Sequence, residues 1–180
     1  MGSETPYIIY RKQLMRLKMT IKNITIFDLD GTVIDSSHRQ ATRPDGSLDL
    51  DHWRENSTAK LIERDTLLPL AHEWRKLQRK ENAQIIVCTA RVMGPADYFY
   101  FGSRGLFAKT IISRQEGDTT PDDLLKLRGL KQYCAKNGIS WRRFCASAIM
   151  FDDNKNVLQT LTANGLMVHN SLEINERLSA

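Results

Sequence analysis

The chain is poor in cysteine and has no long apolar segment. Its 180 residues include only three cysteines, none in CxxC spacing, which argues against a disulfide framework or a zinc site and favours reduced thiols. No stretch approaches the roughly 20 apolar residues that cross a bilayer, and the N-terminus lacks the apolar core of a secretory signal. We therefore expect a cytoplasmic protein with no membrane association, and the sequence indicates no protein partner.

The sequence also lacks a strong charge bias. Lysine and arginine number 26 and aspartate and glutamate 21, so the formal net charge is +5. This excess favours polyanionic partners, although many ordinary proteins are as basic. A hydrophobic content of 41% suits one globular domain. We expect a basic leader, frayed or loosely docked, over residues 1–20 and one domain over residues 21–180.

From residue 21 onward, short β-rich runs alternate with longer helical ones. The spacing predicts strands over 23–30, 83–91, 108–114, 146–153 and 166–170. It predicts helices over 57–81, 94–107, 119–138 and 154–165, with Pro69 at a helix start or break. Strict alternation of this kind is typical of an α/β fold with a doubly wound, parallel, five-stranded sheet.

Polar residues stand where several of these strands end. Asp28 and Asp30 close the first strand and point to one face of it, whereas Thr89 and Asp152 close two later strands. Two carboxylates this close repel each other unless a cation or a proton lies between them. Ligands of open α/β sheets bind at the carboxyl edge of the strands, so the sequence predicts a site there.

Four segments in order resemble the motifs of the haloacid dehalogenase-like phosphohydrolases. They are "FDLDGT" (27–32), "VCTAR" (87–91), Lys126 and "MFDDN" (150–154), and the resemblance spans roughly residues 22 to 170. It implies a Rossmann-like sheet and a phosphomonoesterase that works through an aspartyl-phosphate. The sequence "DLDG" could also begin an EF-hand, but that loop needs glycine at its sixth position, where Val33 stands.

The chemistry of phosphate ester cleavage assigns a role to each motif residue. Asp28 is the candidate nucleophile, and Asp30 the acid that protonates the leaving oxygen and later activates water. Asp28, Asp152 and Asp153 offer oxygen ligands for Mg²⁺, and the resemblance adds the backbone carbonyl of Asp30. By the same resemblance Thr89 binds a phosphoryl oxygen, and Lys126 neutralises the intermediate.

A narrower resemblance links "SRQEGDTTPDDLLK" (113–126) to the 3′-phosphatase half of phage-type polynucleotide kinase/phosphatases. It implies that Arg39 and Arg91 engage the substrate, that Asp122 orients Lys126 or Arg91, and that Arg114 forms the loop beneath them with Asp118. Thr32, which follows Gly31 in the first motif, joins the expected substrate-binding set. The chain departs from the bifunctional enzymes in having no GxxxxGK[ST] segment, and hence no kinase half.

The short, polar segment between Asp30 and residue 57 predicts at most a minimal cap, which leaves an open site. An open site admits a polymer end, so the leading hypothesis is a Mg²⁺-dependent 3′-phosphatase acting on nucleic acid ends or nucleotides. The alternatives are a 5′-nucleotidase or general nucleotide phosphatase, and, in another class, a non-catalytic phosphate- or nucleic-acid-binding module. Trp53 is the candidate for stacking a base. Because Arg39 lies in a polar loop, we expect its removal to lower turnover with little change in melting temperature.

Overall fold

A five-stranded parallel sheet organises the molecule. The computed structural model describes residues 23–46 and 48–180, so the expected leader over residues 1–20 lies outside the described residues. The sheet strands are β1 (Ile24–Phe27), β4 (Gln84–Val92), β5 (Thr110–Arg114), β6 (Ala148–Asp152) and β7 (Met167–Asn170). Their order is β5-β4-β1-β6-β7, and every neighbouring pair is parallel. The predicted fold class is confirmed.

Helices cover both faces of this sheet. They are α1 (Leu50–Glu55), α2 (Ala59–Ile62), α3 (Leu70–Leu77), α4 (Pro95–Ser103), α5 (Asp122–Lys136), α6 (Trp141–Ser147), α7 (Lys155–Ala163) and α8 (Ser171–Ser179). A short antiparallel pair, β2 (Ile34–Asp35) and β3 (Thr66–Leu67), and a 3-10 helix at Ser37–Arg39 lie between β1 and α3. No helix of the described residues is both long and apolar enough to span a membrane.

Alternating side chains of the central strands build two separate cores. Ile26 packs with α5, α6 and α7 on one face, whereas its neighbour Phe27 packs with α3, α4 and α8 on the other. Phe27 stacks between Trp74 and Phe151 at centroid distances of 5.3 and 5.5 Å. Because β1 is buried on both faces, it fits only a central position, which fixes Asp28 at the middle of the sheet edge.

The helix predicted over 57–81 is wrong as a single element. It is divided into α2, β3 and α3, and Pro69 caps α3, as expected of a residue that cannot continue a helix. Three helices were not predicted: α1 lies in the segment between Asp30 and residue 57, α6 immediately precedes β6, and α8 follows β7 directly. Asn170 caps α8 by accepting a hydrogen bond from the Leu172 N–H, so strand and helix meet without a loop.

Candidate active site

The central carboxylates lie where the strand order reverses. β1 lies between β4 and β6, and the chain passes outward through β4 and β5 before it crosses to β6 and β7. Asp28 directly follows β1, and Asp152 is the last residue of the adjacent β6. Such a switch point leaves a crevice at the carboxyl edge of a parallel sheet, so these two acids stand at the usual ligand-binding position of the fold.

Lys126 lies between the two carboxylates. Its Nζ is 2.8 Å from Asp28 Oδ1 and 2.7 Å from Asp152 Oδ2, and all three residues are buried. Burial, helped by repulsion from Asp152, raises the pKa of Asp28 to about 7 even though Lys126 opposes this. Burial alone would lower the pKa of Lys126, but the two carboxylates outweigh it and raise that pKa, so the ammonium stays charged.

Three acidic side chains form a candidate metal centre. Asp28, Asp152 and Asp153 each offer an oxygen, and these oxygens lie within 4.8 Å of one another. Burial and then the charge of Asp28 raise the pKa of Asp153 to about 6. Hard divalent cations such as Mg²⁺ prefer oxygen ligands, and a cation here would relieve the mutual repulsion. The donor set therefore fits the predicted ion.

Gly31 lets Asp153 approach the loop after β1. Its φ is +71°, a left-handed conformation that glycine adopts without strain. A Cβ at this position would collide with the carboxylate of Asp153. The glycine of the first motif is thus needed both for the turn and for the space that an acid of the metal centre occupies.

Asp30 has a different environment from Asp28. The Nε of Arg91 donates to Asp30 Oδ2 at 3.1 Å, a second Arg91 nitrogen reaches Oδ1, and the Ser36 hydroxyl donates to Oδ1 as well. Burial alone would raise the pKa of Asp30, but the charge and hydrogen bonds of Arg91, aided by Ser36, outweigh it and lower that pKa. The two carboxylates of the first motif thus have pKa values shifted in opposite directions, and these directions are the reverse of those that a nucleophilic Asp28 and an acidic Asp30 need.

Two further aspartates hold the arginines beside Asp30, and sequence reasoning missed both. Asp97 accepts from Arg91 Nη1 at 2.6 Å, and Asp65 accepts from Arg39 Nε and Nη2 at 2.9 Å each. Asp65 also lies 3.4 Å from Arg91, which links the two arginines. Asp97 could have been found as a cap of α4, where it accepts from the Gly94 N–H, but no local signal marks Asp65.

Arg39 is not the solvated loop residue that its sequence suggests. It is 1% exposed and forms a two-pronged pair with Asp65, so the expectation that its removal leaves stability nearly unchanged no longer stands. The Trp53 ring covers it, with the guanidinium carbon 4.0 Å from the ring centroid. The guanidinium of Arg91 is 5.6 Å from the same ring.

Arg114 and Asp122 organise the loop before α5. Arg114 donates to the backbone carbonyls of Ala90, Asp118 and Thr120 and pairs with Asp122 at 2.6 Å. The expected link between Arg114 and the Asp118 loop is therefore present. The expected orientation of Lys126 or Arg91 by Asp122 is wrong within the described part of the chain, because the carboxylate is bound by Arg114 and Lys126 reaches Asp28 and Asp152 instead.

Two threonines of the motifs make internal contacts. Thr32 is fully buried, and its hydroxyl donates to Ser171 Oγ at 2.9 Å, while its carbonyl accepts from Asn175. This places Thr32 against α8 rather than towards a substrate. The hydroxyl of Thr89 accepts from the Arg91 N–H at 3.1 Å near an irregularity in the pairing of β4 with β5, at the same edge as Asp28.

Comparison with known proteins finds a family and a relative that are both named for a phage nucleotidase. The model of a family described as bacteriophage T5 5′-deoxynucleotidase matches residues 13–127. The 5′-deoxynucleotidase of Escherichia phage T5 is 32% identical to this chain, and the match covers 88% of this chain and 71% of the relative. The chain belongs to the T5 5′-deoxynucleotidase family. With the geometry above, this makes it a phosphoric monoester hydrolase.

Solved structures agree on the fold of this T5 nucleotidase family member. A haloacid dehalogenase-like hydrolase from Streptococcus pneumoniae has a TM-score of 0.61 and 13% identity, covering 88% of this chain and 92% of that one. A chain of the Pnkp1/Rnl/Hen1 complex has a TM-score of 0.56 and 15% identity, covering 83% and 46%. At such identities the likeness establishes the fold alone, and it confirms the haloacid dehalogenase-like architecture.

Proposed function

We propose that the chain is a Mg²⁺-dependent 5′-nucleotidase that releases phosphate from deoxynucleoside 5′-monophosphates through an aspartyl-phosphate on Asp28. The observation that carries the proposal is the pairing of a buried Asp28, held by Lys126 at the switch point, with a separately held Asp30. Binding of phosphate alone does not need a second carboxylate. The arrangement therefore favours an enzyme over a non-catalytic binding module.

The first step transfers the phosphoryl group to the protein. A carboxylate oxygen of Asp28 attacks phosphorus, the bond from phosphorus to the 5′ oxygen breaks, and that oxygen takes a proton from Asp30. In the second step Asp30 removes a proton from water, which attacks phosphorus and releases phosphate and Asp28. Asp28, Asp152 and Asp153 would hold Mg²⁺, which when bound supplies positive charge to the phosphoryl oxygens. Lys126 adds a fixed positive charge beside the nucleophile.

Arg91 sets a condition on this mechanism. As long as it binds Asp30, it favours the ionised form, whereas the first step needs a protonated acid. The phosphate of a bound substrate competes for the same guanidinium, because forked guanidinium donors match phosphate oxygens well. Substrate binding would thereby weaken the hold of Arg91 on Asp30 and let Asp30 carry the proton.

Two observations favour the 5′ position over the 3′ end that the narrower resemblance implied. The relative with 32% identity is named a 5′-deoxynucleotidase. One arginine to which the 3′-phosphatase resemblance gave a substrate role is held internally instead, because Arg39 binds Asp65 through two nitrogens. The 3′-phosphatase nevertheless stays the second candidate, because Arg91 lies beside Asp30.

One substrate panel tests the proposal. Phosphate release is measured from deoxynucleoside 5′-monophosphates, ribonucleoside 5′-monophosphates, deoxynucleoside 3′-monophosphates and an oligonucleotide with a 3′-phosphate, each with Mg²⁺ or with EDTA. We expect the deoxynucleoside 5′-monophosphates to give the highest kcat/KM, and EDTA or Asp28→Asn to abolish release. Faster turnover of the 3′-phosphorylated oligonucleotide would overturn the 5′ assignment. Tight binding without release from any substrate would indicate a binding module.

A further inference from the structure

We propose that Trp53 is the platform on which the base of the substrate stacks, an inference that rests on the nucleotidase activity proposed above. Trp53 belongs to α1, a helix of the segment inserted between β1 and α3. It is half-buried, so part of the indole remains accessible to solvent. The ligand class is therefore a nucleoside monophosphate whose base rests on an indole face.

The position of Trp53 follows the path of the leaving group. In the proposed reaction the 5′ oxygen must contact Asp30, so the nucleoside extends from phosphorus past that carboxylate. Arg91 binds Asp30, and its guanidinium carbon is 5.6 Å from the centroid of the Trp53 ring. The indole thus lies one guanidinium away from the acid that the 5′ oxygen must contact.

The ring of Trp53 rests against a buried cation. The guanidinium of Arg39 lies 4.0 Å from the Trp53 centroid, and this arginine is itself fixed by the carboxylate of Asp65 at two nitrogens. A cation attracts the aromatic face that it lies over, and a buried cation such as the Arg39 guanidinium has little freedom to move. Stacking a base on a pre-positioned ring costs less ordering than stacking it on a mobile one.

The other two tryptophans have different surroundings. Trp74 is almost completely buried and stacks on Phe27 in the core. Trp141 stacks on Phe144, and its indole N–H donates to the carbonyl of Asn164. These contacts make Trp141 a matched control for substitutions of Trp53, because its ring contacts α6 and the turn after α7.

Stacking predicts a particular form of selectivity. Every base has a π face, so a platform without hydrogen bonds detects that a base is present more than which base it is. A purine has a larger face than a pyrimidine, so stacking on Trp53 should strengthen purine nucleotide binding more. Trp53 should not strengthen the binding of a sugar phosphate that has no base.

Kinetics with and without a base test the proposal. Trp53→Ala and Trp53→Phe are compared with the unsubstituted protein on dAMP, dTMP and 2-deoxyribose 5-phosphate. We expect Trp53→Ala to raise KM for dAMP about tenfold, raise KM for dTMP less, and leave 2-deoxyribose 5-phosphate unchanged, with Trp53→Phe restoring most of the loss. An equal loss on all three substrates would mean that Trp53 serves only to hold Arg39 and Arg91. No change on any of them would also overturn the proposal.

A binding assay separates this inference from the nucleotidase proposal. In Asp28→Asn protein, dAMP should quench tryptophan fluorescence. The quenching should disappear when Trp53→Phe is added and persist when Trp141→Phe is added. Quenching that depends on Trp53 without hydrolysis of dAMP by the unsubstituted protein would keep the platform and refute the activity. Hydrolysis of dAMP with quenching independent of Trp53 would support the activity and refute the role of Trp53 as the platform.

Discussion

Replacing Asp65 with asparagine should destabilise the protein strongly, because it leaves a buried arginine without its counter-charge. Asp65 is 2% exposed and Arg39 1% exposed, and two contacts of 2.9 Å join them. Removing one partner of a buried ion pair costs ~3–5 kcal/mol, and asparagine, which keeps the volume and one acceptor, should fall near the lower limit. For a chain of 180 residues, a loss of about 3 kcal/mol lowers the melting temperature by roughly 6 to 12 °C.

The assay is thermal unfolding followed by circular dichroism, with urea unfolding to give the free energy directly. Asp51→Asn is the matched control, because Asp51 pairs with Arg54 at 3.1 Å with side chains 73% and 63% exposed. An exposed pair contributes less than about 1 kcal/mol, so the control should melt within a few degrees of the unsubstituted protein. A loss for Asp65→Asn no larger than that of the control would refute the claim that Asp65 neutralises a buried charge.

Three further substitutions probe the acidic centre. Gly31→Ala should cost more stability than Gly46→Ala, because both have positive φ (+71° and +84°) but only the former meets Asp153; equal losses in urea unfolding would contradict this. Burial first, and then Asp152, raises the pKa of Asp28 from 3.8 to about 7. Protonated Asp28 therefore stabilises the folded state fully below pH 4, and this stabilisation is lost as pH rises through 7. In EDTA, Asp28→Asn should therefore melt higher than the unsubstituted protein at pH 8 and equally at pH 4; a gain independent of pH would contradict the shift. Lys126→Met should lower the melting temperature in EDTA more at pH 7 than at pH 5, since the two carboxylates it leaves can take up protons at the lower pH.

The sheet and its acidic edge could be predicted because their signals are local. The apolar run ending in Asp28 and the one ending in Asp152 are each contained in a few residues, and parallel strands bring their carboxyl ends together whatever the loops do. Helix α5 could be predicted because proline and acidic residues stand at its start and Gly138 follows its end. Fold class and the Asp28–Asp152 pairing follow from these signals.

The partners of the arginines could not be predicted because they are set by tertiary packing. Arg39 and Asp65 are 26 residues apart. Arg39 lies in a polar loop of the sequence and Asp65 in a segment that reads as one helix, and the break after α2 that brings Asp65 to Arg39 has no marker except Pro69. The i,i+4 spacing of Asp122 and Lys126 suggested a helical pair. Lys126 is instead buried at the sheet edge, where it pairs with two carboxylates. The attraction between opposite charges is stronger inside a protein than on the surface of a helix.

Helix α8 could not be predicted from the sequence for a related reason. Its contacts with the loop after β1 run through Asn175, which accepts from the Leu70 N–H and donates to the carbonyl of Thr32 more than 100 residues away. Short polar side chains such as Asn175 and Ser171 carry no pattern that distinguishes a buried bridge from an exposed surface.

The most direct test of the account is to trap the covalent intermediate. The protein is mixed with dAMP and Mg²⁺, quenched in acid and digested, and the peptide that contains residues 24–36 is examined by mass spectrometry. We predict one added phosphoryl group on Asp28, which borohydride reduction converts to homoserine, and none in Asp28→Asn. Continued phosphate release with Asp28 unmodified, or with the phosphoryl group on another residue, would contradict the claim that Asp28 is the nucleophile.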